Sequence, residues 1–202
     1  SGSGHPTHCC PDGTPLELCL TFDPPLSAGR IDGVLPSGEV TFLRSNYNKE
    51  GKLLINTNFD RNIAIVKIRP GFNPRELNTY EKYHGLVIEG TGLGHAPINS
   101  LDKYTKHHKE LLEKIRKLSK KMPIIMTSQS PYGRVNLNVY STGRDLLAAG
   151  IISGQDMLTE TAYVKLGWLL ANHKDIDKVK KEMQVNYAGE IADVIEDRAF
   201  LY

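Results

Sequence analysis

The stretch LVIEGTGLGHAPINS, Leu86 to Ser100, decides the fold because it places a short apolar run directly before closely spaced glycines. Such a run, bounded by turn residues, is typical of a buried strand in a parallel sheet. A strand that leads through glycines to a helix can also bind a dinucleotide. That turn needs a third glycine where this chain has His95, and an acidic residue at the end of the next strand, where PIIMTSQ (Pro123 to Gln129) has none. The sequence therefore argues against nucleotide binding.

Two explanations of the glycine loop remain open on the residues alone. Gly90, Gly92 and Gly94 could let backbone amides approach a small polar or anionic ligand, with His95 near the helix start to donate or accept a hydrogen bond. Alternatively, the glycines only form a tight turn and His95 is a capping or interface residue. Loops that follow the carboxyl ends of the strands in a parallel sheet are enriched in binding sites.

Further apolar runs flank this strand in sequence and predict a parallel sheet. IAIVKI, Ile63 to Ile68, is β-branched and stops before Pro70, and PIIMTSQ supplies a third buried strand. Helical patterns separate the three runs, so we predict an α/β domain with a small parallel sheet and helices on both faces. Right-handed crossovers then bring the loops that follow Glu89 and Thr127 to the same edge, the carboxyl end of the strands.

Capping residues and apolar spacing predict the helices. Asn73 and Pro74 open the first, and Asn99 or Ser100 caps a long helix that ends near Lys121. GRDLLAAG predicts a short helix after a long polar loop. The last two helices have Ser153, with Asp156 three residues on, and Asp175 as their opening residues.

The N-terminal part differs in composition and is rich in proline and glycine. We assign residues 1–59 to a tail, a linker and short strands, and residues 60–202 to the α/β domain. EVTFL (39–43) and LLIN (53–56) predict two short strands, as a hairpin or as edge strands. The segment HPTHCC contains zinc-type ligands, but its spacing matches no known finger, so we predict no metal site and expect the three cysteines to be free thiols. The residues concerned are His5, His8, Cys9, Cys10 and Cys19.

The overall charge is too small to indicate a nucleic-acid or membrane partner. The chain has 25 Lys and Arg against 23 Asp and Glu, a net charge of +2, and no apolar run reaches the length of a membrane span. We therefore expect a cytoplasmic protein. The segment from Lys103 to Lys121 is locally basic, and the sequence alone favours a solvated outer face over a contact with phosphates, since its lysines are not interleaved with aromatic residues beyond Tyr104.

Longer motifs carry a family resemblance. The stretches LVIEGTGLGHAP, MTSQSPYGRVNLNVYSTGRDLLAAGIISGQDMLTETAYVKLGWLL and NYAGEI resemble the C-terminal domain of the asparaginase-type amidohydrolases, in particular the asparaginase-like D subunit of archaeal glutamyl-tRNA(Gln) amidotransferase. The resemblance runs from about Ile63 to Ile191, and Lys67, Pro70 and Gly71 in AIVKIRPG also fit the family. One departure is Ser130-Pro131, where D subunits usually have Cys-Ile.

The resemblance implies hydrolysis of the side-chain amide of glutamine or asparagine by a threonine nucleophile. In D subunits the ammonia passes to a partner, the E subunit, which activates Glu-tRNA(Gln) with ATP and magnesium and amidates it. This chemistry needs an activated hydroxyl, a proton-transfer partner and oxyanion donors. The family's motifs for it, G-G-T-I and H-G-T-D-T, do not occur here. We therefore predict no complete catalytic set and no cofactor in this chain, and an isolated chain that is inactive.

The resemblance also implies a limited set of site residues. His95 matches a substrate-proximal asparagine of bacterial relatives, and Tyr132 matches a loop tyrosine of cytoplasmic asparaginases, so both could complete the site of a neighbouring subunit in a homodimer. Packing at the dimer interface explains them equally well. Thr91 and Thr127 more readily cap turns than act as nucleophiles. The predicted loop scaffold is Gly90, Gly92, Gly94 and Gln129.

Two other functions remain open. The chain could be a fragment of a free-standing cytoplasmic L-asparaginase, or a non-catalytic α/β module that dimerises or binds a ligand. GTGLGH and GRVNLNVYSTGRDLL favour the D subunit over the free-standing enzyme. An upstream threonine-bearing domain in the same reading frame would support the enzyme subunit, and a true start near residue 1 would support the module.

Overall fold

The computed structural model describes residues 55–194 and, before them, two short strands, β1 (Ile31–Val34) and β2 (Val40–Phe42). Residues 55–194 contain a four-stranded parallel sheet in the order β3-β4-β5-β6. Its strands are β3 (Ile63–Lys67), β4 (Gly85–Gly90), β5 (Ile124–Ser128) and β6 (Ile151–Ser153). The three apolar runs of the sequence therefore form the strands that they predict.

The register of the sheet fixes where the loops emerge. Glu89 lies opposite Thr127 and Gly90 lies opposite Ser128, so β4 and β5 end side by side. Lys67, at the end of β3, lies opposite Glu89, and its ammonium group is 3.0 Å from the Glu89 carboxylate. The prediction that the loops after Glu89 and Thr127 share the carboxyl edge is confirmed.

One face of the sheet is covered by the three crossover connections. These are a 3₁₀ helix (Pro74–Tyr80), α1 (His108–Ser119) and α2 (Ser141–Ala148). Asn73 caps the 3₁₀ helix as predicted, because its side chain accepts a hydrogen bond from the Arg75 N–H. The connections bury their apolar side chains in one core with the strands, and the crossovers contribute Leu77, Leu111, Ile115, Leu118 and Leu146.

The other face is covered by α3 (Thr159–Asn172) and α4 (Ile176–Glu182). Ile63, Val87 and Ile125 point from the strands into a second core, which Leu166 and Val179 complete from the helices. Asp175 caps α4 as predicted, accepting a hydrogen bond from the Asp177 N–H at 2.9 Å. Helices thus lie on both faces of a parallel sheet, which confirms the predicted α/β fold. No helix of the described residues is long and apolar enough to span a bilayer.

The predicted start of the long helix is wrong. Neither Asn99 nor Ser100 is a cap, because α1 begins only at His108. The Asn99 carbonyl instead accepts a hydrogen bond from His108 Nδ1 at 2.8 Å. Before the helix, Asp102 Oδ1 accepts from the Thr105 N–H, and Thr105 Oγ1 accepts from the Leu101 N–H. These local bonds hold the segment before α1 in turns that compete with helix formation.

The role predicted for Ser153 is also wrong. Ser153 ends β6, a strand that the sequence did not predict, and α3 begins at Thr159. The Ser153 hydroxyl accepts from the Gln155 N–H at 3.1 Å. The Asp156 carboxylate accepts from the Ala192 N–H at 3.1 Å, so this Ser-x-x-Asp pattern is not a capping box.

The short N-terminal strands pair differently from the prediction. The strand in EVTFL exists as β2, but it pairs antiparallel with β1, which lies within the predicted tail. In LLIN, Ile55 and Asn56 have no regular structure, and residues 53 and 54 lie outside the described residues. The cysteines and the HPTHCC segment lie outside them as well.

A buried ion pair attaches the C-terminal segment to α3. Lys165 Nζ lies 2.7 Å from Glu190 Oε1, and the two side chains are only 6% and 8% exposed. The Glu190 carboxylate also accepts from the N–H groups of Tyr187 and Ala188, and Lys165 lies over the Tyr187 ring, 5.4 Å from its centroid. The Tyr187 hydroxyl donates to Glu182, and this bond raises the pKa of Tyr187 to about 12.

Burial and ion pairing shift the pKa values of both Lys165 and Glu190. Burial lowers the pKa of Lys165 against the opposing attraction of Glu190. For Glu190, burial alone would raise the pKa, but the hydrogen bonds from Lys165 and from the backbone outweigh it, so the pKa lies below the ordinary value. Removing either partner therefore leaves the other charge buried and uncompensated.

We expect Lys165→Met to lower the free energy of unfolding by about 3 kcal/mol, because Glu190 keeps its buried charge without a cation. Urea denaturation of the variant measures the change. The double variant Lys165→Met/Glu190→Gln should recover part of the loss, since the amide still accepts the backbone bonds. The control Lys180→Met breaks an exposed pair with Asp177 and should cost about 1 kcal/mol or less. Equal losses in Lys165→Met and Lys180→Met would contradict this account.

The lowered pKa of Glu190 also predicts a dependence of stability on pH. A carboxyl group whose pKa falls on folding stabilises the protein above its unfolded value of 4.5, and this contribution is lost as the pH falls through the folded pKa. The difference in free energy of unfolding between the wild type and Glu190→Gln should therefore shrink as the pH falls below 4.5. Denaturation curves measured at neutral pH and at a series of pH values below 4.5 test this prediction. A difference that stays constant would refute the assignment.

Candidate functional site

The candidate site lies at the carboxyl edge of the sheet, where the loops after β4 and β5 emerge together. The loop after β4 closes within five residues through a pair of bonds between Thr91 and His95. The Thr91 N–H donates to the His95 carbonyl at 3.0 Å, and the His95 N–H donates to the Thr91 carbonyl at 2.9 Å. The Gly94 N–H also donates to the Thr91 carbonyl. Three amides of the loop are therefore used inside the turn.

Backbone conformation and close packing explain why glycine occupies three positions of this loop. Gly92 and Gly94 have positive φ angles of 51° and 92°, a backbone conformation that favours glycine. A Cβ atom at Gly90 would lie 2.6 Å from the Met126 sulfur, and one at Gly94 would lie 2.7 Å from a Val135 methyl group. The turn thus packs closely on β5 and on the next loop. This geometry explains the glycines as a tight turn without requiring a bound anion.

The loop after β5, residues 129–140, is fastened to its neighbours at both ends. The Gln129 side chain donates to the carbonyls of Ile68 and Glu89, at 2.5 Å and 3.1 Å, so it ties the loop to the ends of β3 and β4. The Ser128 hydroxyl donates to the Gly92 carbonyl at 2.5 Å, and the Asn136 N–H donates to the Leu93 carbonyl at 3.0 Å. The two loops therefore form one hydrogen-bonded unit, with Gln129 as scaffold.

His95 lies within this unit in an unusual environment. Its Nε2 atom is buried and has no hydrogen-bond partner among the described residues. The Tyr140 ring lies edge-on to the imidazole, with 5.2 Å between the ring centroids. A buried polar nitrogen normally has a partner, because leaving it without one costs free energy. Among the described residues, His95 Nε2 is thus a buried nitrogen at this edge whose hydrogen-bonding capacity is not used.

Two tyrosines of the loop after β5 are exposed near this edge. Tyr132 is 38% exposed and lies in a turn closed by the bond from the Gly133 N–H to the Ser130 carbonyl. Tyr140, 58% exposed, lies next to His95, and the sequence analysis missed it. The signal that could have identified it is its position between a polar loop and a helix start, where a side chain lies at the carboxyl edge of the sheet.

The two threonines considered as nucleophiles have structural partners. Thr127 is fully buried, with its hydroxyl 2.9 Å from the Thr159 hydroxyl. Thr91 is exposed, and its hydroxyl lies 3.4 Å from the His95 carbonyl within the turn. Both arrangements agree with roles in the local fold. Among residues 55–194, no group of three or more His, Cys, Asp and Glu side chains is arranged to hold a metal ion.

Arg134 is a second residue that the sequence analysis missed, and it connects the site loop to the C-terminal segment. Its guanidinium donates to the Ala192 carbonyl at 2.6 Å and to the Gln155 side chain at 2.8 Å. Gln155 has a positive φ of 54°, and its carbonyl accepts from the Val135 N–H at 2.7 Å. The loop after β5 is thereby held from two directions, by β3 and β4 and by the segment after α4.

Comparisons with known proteins agree with this architecture. The family model of the glutaminase/asparaginase C-terminal domain matches residues 62–183. The D subunit of glutamyl-tRNA(Gln) amidotransferase from Thermococcus kodakarensis is 44% identical over 175 residues, which cover 85% of this chain and 38% of that protein. Its counterpart from Methanothermobacter thermautotrophicus is 41% identical over 171 residues, with 80% and 37% covered. The chain thus spans less than half the length of these curated relatives.

Solved structures show the same fold. The thermostable L-asparaginase from Thermococcus kodakarensis superposes with a TM-score of 0.68 at 31% identity, over 79% of this chain and 47% of the asparaginase. L-asparaginase I from Vibrio cholerae gives a TM-score of 0.65 at 26% identity, over 76% and 46% of the two chains. With the matched family model and the common fold, this chain belongs to the glutaminase/asparaginase C-terminal domain family.

Proposed function

We propose that the chain is the C-terminal part of an asparaginase-like protein that releases ammonia from glutamine, or from asparagine, for the amidation of Glu-tRNA(Gln). Relatives named as the D subunit of glutamyl-tRNA(Gln) amidotransferase support this proposal, because their similarity extends over most of this chain. The ammonia passes to a tRNA-binding partner, the E subunit, which supplies the ATP and magnesium chemistry. The proposed location of this assembly is the cytoplasm.

The described residues act in this proposal as a supporting domain. Amide hydrolysis needs an activated nucleophile and donors for the developing oxyanion. The Thr127 hydroxyl is buried against Thr159, and Thr91 belongs to a closed turn. In this proposal the nucleophile comes from an upstream threonine-bearing domain, as the family resemblance implies. The boundary between the N-terminal segment and this domain lies near residue 60, as we infer from the sequence.

The observation that carries the proposal is the buried, unpaired Nε2 of His95 at the carboxyl edge of the sheet. Two joined loops present it beside Tyr140, and the Tyr132 turn belongs to the same loop as Tyr140. In a homodimer this edge closes the active site of the neighbouring subunit, and His95 bonds the substrate or a group that holds the substrate. Tyr132 covers the same site from the loop after β5.

A free-standing L-asparaginase is the second candidate function. The structural similarity to the Thermococcus kodakarensis L-asparaginase, with a TM-score of 0.68, favours this second candidate. The two candidates share the fold and the edge of the sheet, and they differ in the amide that is hydrolysed and in the need for a tRNA-binding partner. The higher identity to D subunits, 44% in a sequence comparison against 31% in a structural superposition, supports the amidotransferase as the first candidate.

The proposal predicts that the 202-residue chain alone releases no ammonia above buffer from glutamine or asparagine. A fusion that adds the upstream portion of the Thermococcus kodakarensis D subunit in one reading frame should release ammonia from glutamine, because it restores the nucleophile. An enzymatic ammonia assay of both proteins measures the difference. Release by the chain alone that is abolished in Thr91→Ala or Thr127→Ala would place the nucleophile inside this chain.

The same fusion tests the role of His95. We expect His95→Ala to lower kcat/KM about tenfold to hundredfold, the usual effect of losing a hydrogen bond to a charged group. The matched control is His84→Ala, since His84 pairs with Asp60 at 2.7 Å just before β4, at the opposite edge of the sheet. The control should stay within about threefold of the unmodified fusion. Equal losses in the two variants would exclude a specific role of His95 in the site.

A further inference from the structure

The outer surface of α1 and of the turn before it has a strong and local positive charge. Residues 102–121 contain eight Lys and Arg against three Asp and Glu, a net charge of +5. The whole chain has a net charge of only +2, so the residues outside this segment sum to −3. We call this segment the basic surface. Its charge is a local property and does not follow from a generally basic protein.

The lysines of the basic surface point outward and are mostly not neutralised. Lys109, Lys117 and Lys120 are exposed, and no described carboxylate forms an ion pair with them. With 3.6 residues per turn they fall on one side of the helix, along about 16 Å of its length. Arg116 pairs with Glu113, and Lys114 bonds to Asn78. Enough positive charge therefore remains for several anionic groups at once.

The position of α1 excludes two classes of partner. A helix that binds a membrane surface needs an exposed apolar face, but Leu111, Ile115 and Leu118 of α1 are buried in the core. Protein interfaces are depleted in lysine at their centres and use apolar or aromatic anchors. The outward side of α1 offers no such anchor, and the exposed Leu101 and Tyr104 lie in the segment before the helix.

We propose that the basic surface binds the phosphate backbone of duplex RNA. Lysines without base-reading neighbours give sequence-independent attraction to phosphates, and a row of this length can reach several phosphates of one duplex. Single-stranded RNA is a poorer fit, because it is bound through several stacked aromatic side chains, whereas the basic surface has a single tyrosine, Tyr104, in the turn before α1. The natural duplex is the stem of a transfer RNA; this identification alone rests on the proposed function.

The geometry permits RNA binding and the site at the sheet edge to operate together. α1 begins near the carboxyl edge and runs across one face of the sheet towards the opposite edge, where β5 begins. The basic surface therefore leads away from His95 and the loop after β5. RNA on this surface leaves the loops open to a neighbouring subunit.

The test is the binding of a fluorescein-labelled RNA hairpin with a stem of about 16 base pairs to the 202-residue chain, measured by anisotropy at salt concentrations from about 50 to 200 mM. The triple variant Lys109→Gln/Lys117→Gln/Lys120→Gln should weaken binding about tenfold or more at low salt. It should also reduce the slope of log K against log salt by about two to three, since three phosphate contacts are lost. Glutamine and lysine have similar helix propensities, so the helix is retained.

A matched control removes three exposed lysines from the other face of the sheet. Lys174→Gln/Lys178→Gln/Lys181→Gln makes the same change in net charge and should alter binding by about threefold or less. Equal losses in the two triple variants, or no binding of the hairpin by the wild type, would overturn the proposal. Tighter binding of a single strand of equal length would also overturn it, as would binding of phosphatidylserine vesicles that depends on the α1 lysines when the hairpin does not bind. Binding is read without ammonia release, so this inference and the proposed function can fail separately.

Discussion

The parallel pairing of β4 with β5 is the constraint on which the rest of the structure depends. Because Gly90 lies opposite Ser128, the two strands end together and their loops emerge at one place. The Ser128 hydroxyl then reaches the Gly92 carbonyl, and the Asn136 amide reaches Leu93. A shift of one residue in this register would turn the side chains of one strand to the opposite face and break both links.

The second support of the site comes from the C-terminal segment. Lys165 and Glu190 hold this segment against α3 through a buried ion pair, and Arg134 joins it to the loop after β5. A buried pair of charges is a costly way to gain stability, because both ions lose their hydration. Its effect here is to fix the place of the segment. The helices on one face are thus connected to a loop at the carboxyl edge through hydrogen bonds of defined direction.

Much of the fold could be predicted from the sequence because apolar runs and turn residues agree in the central part. IAIVKI, LVIE and PIIMTSQ are β-branched or apolar, and each stops at residues that favour a turn or a loop. β6 was missed because it is only three residues long and its last residue, Ser153, also fits a helix cap. The start of α1 was misplaced because Asp102 and Thr105 form local hydrogen bonds that hold the segment before the helix in turns, so α1 begins only at His108.

The candidate site could be predicted less completely than the fold. The sequence indicates which loops meet and that His95 and Tyr132 lie on them, because parallel topology fixes the shared edge. It does not indicate that Tyr140 lies against His95, or that Arg134 reaches Ala192, since these contacts depend on the path of a long loop. The burial of His95 Nε2 also depends on that path. These contacts are determined by the three-dimensional path of the loop, whereas the position of the edge follows from the order of strands and helices along the chain.

The measurement that tests the central claim most directly is a crystal structure of the fusion with its upstream domain, solved with L-glutamate bound. The account predicts that His95 Nε2 of one protomer lies within hydrogen-bonding distance of the ligand, or of a side chain that holds the ligand, in the neighbouring site. It also predicts that the loop after β5 covers that site. A bound ligand remote from both loops, with His95 Nε2 still unpaired, would contradict the claim that this edge completes the active site.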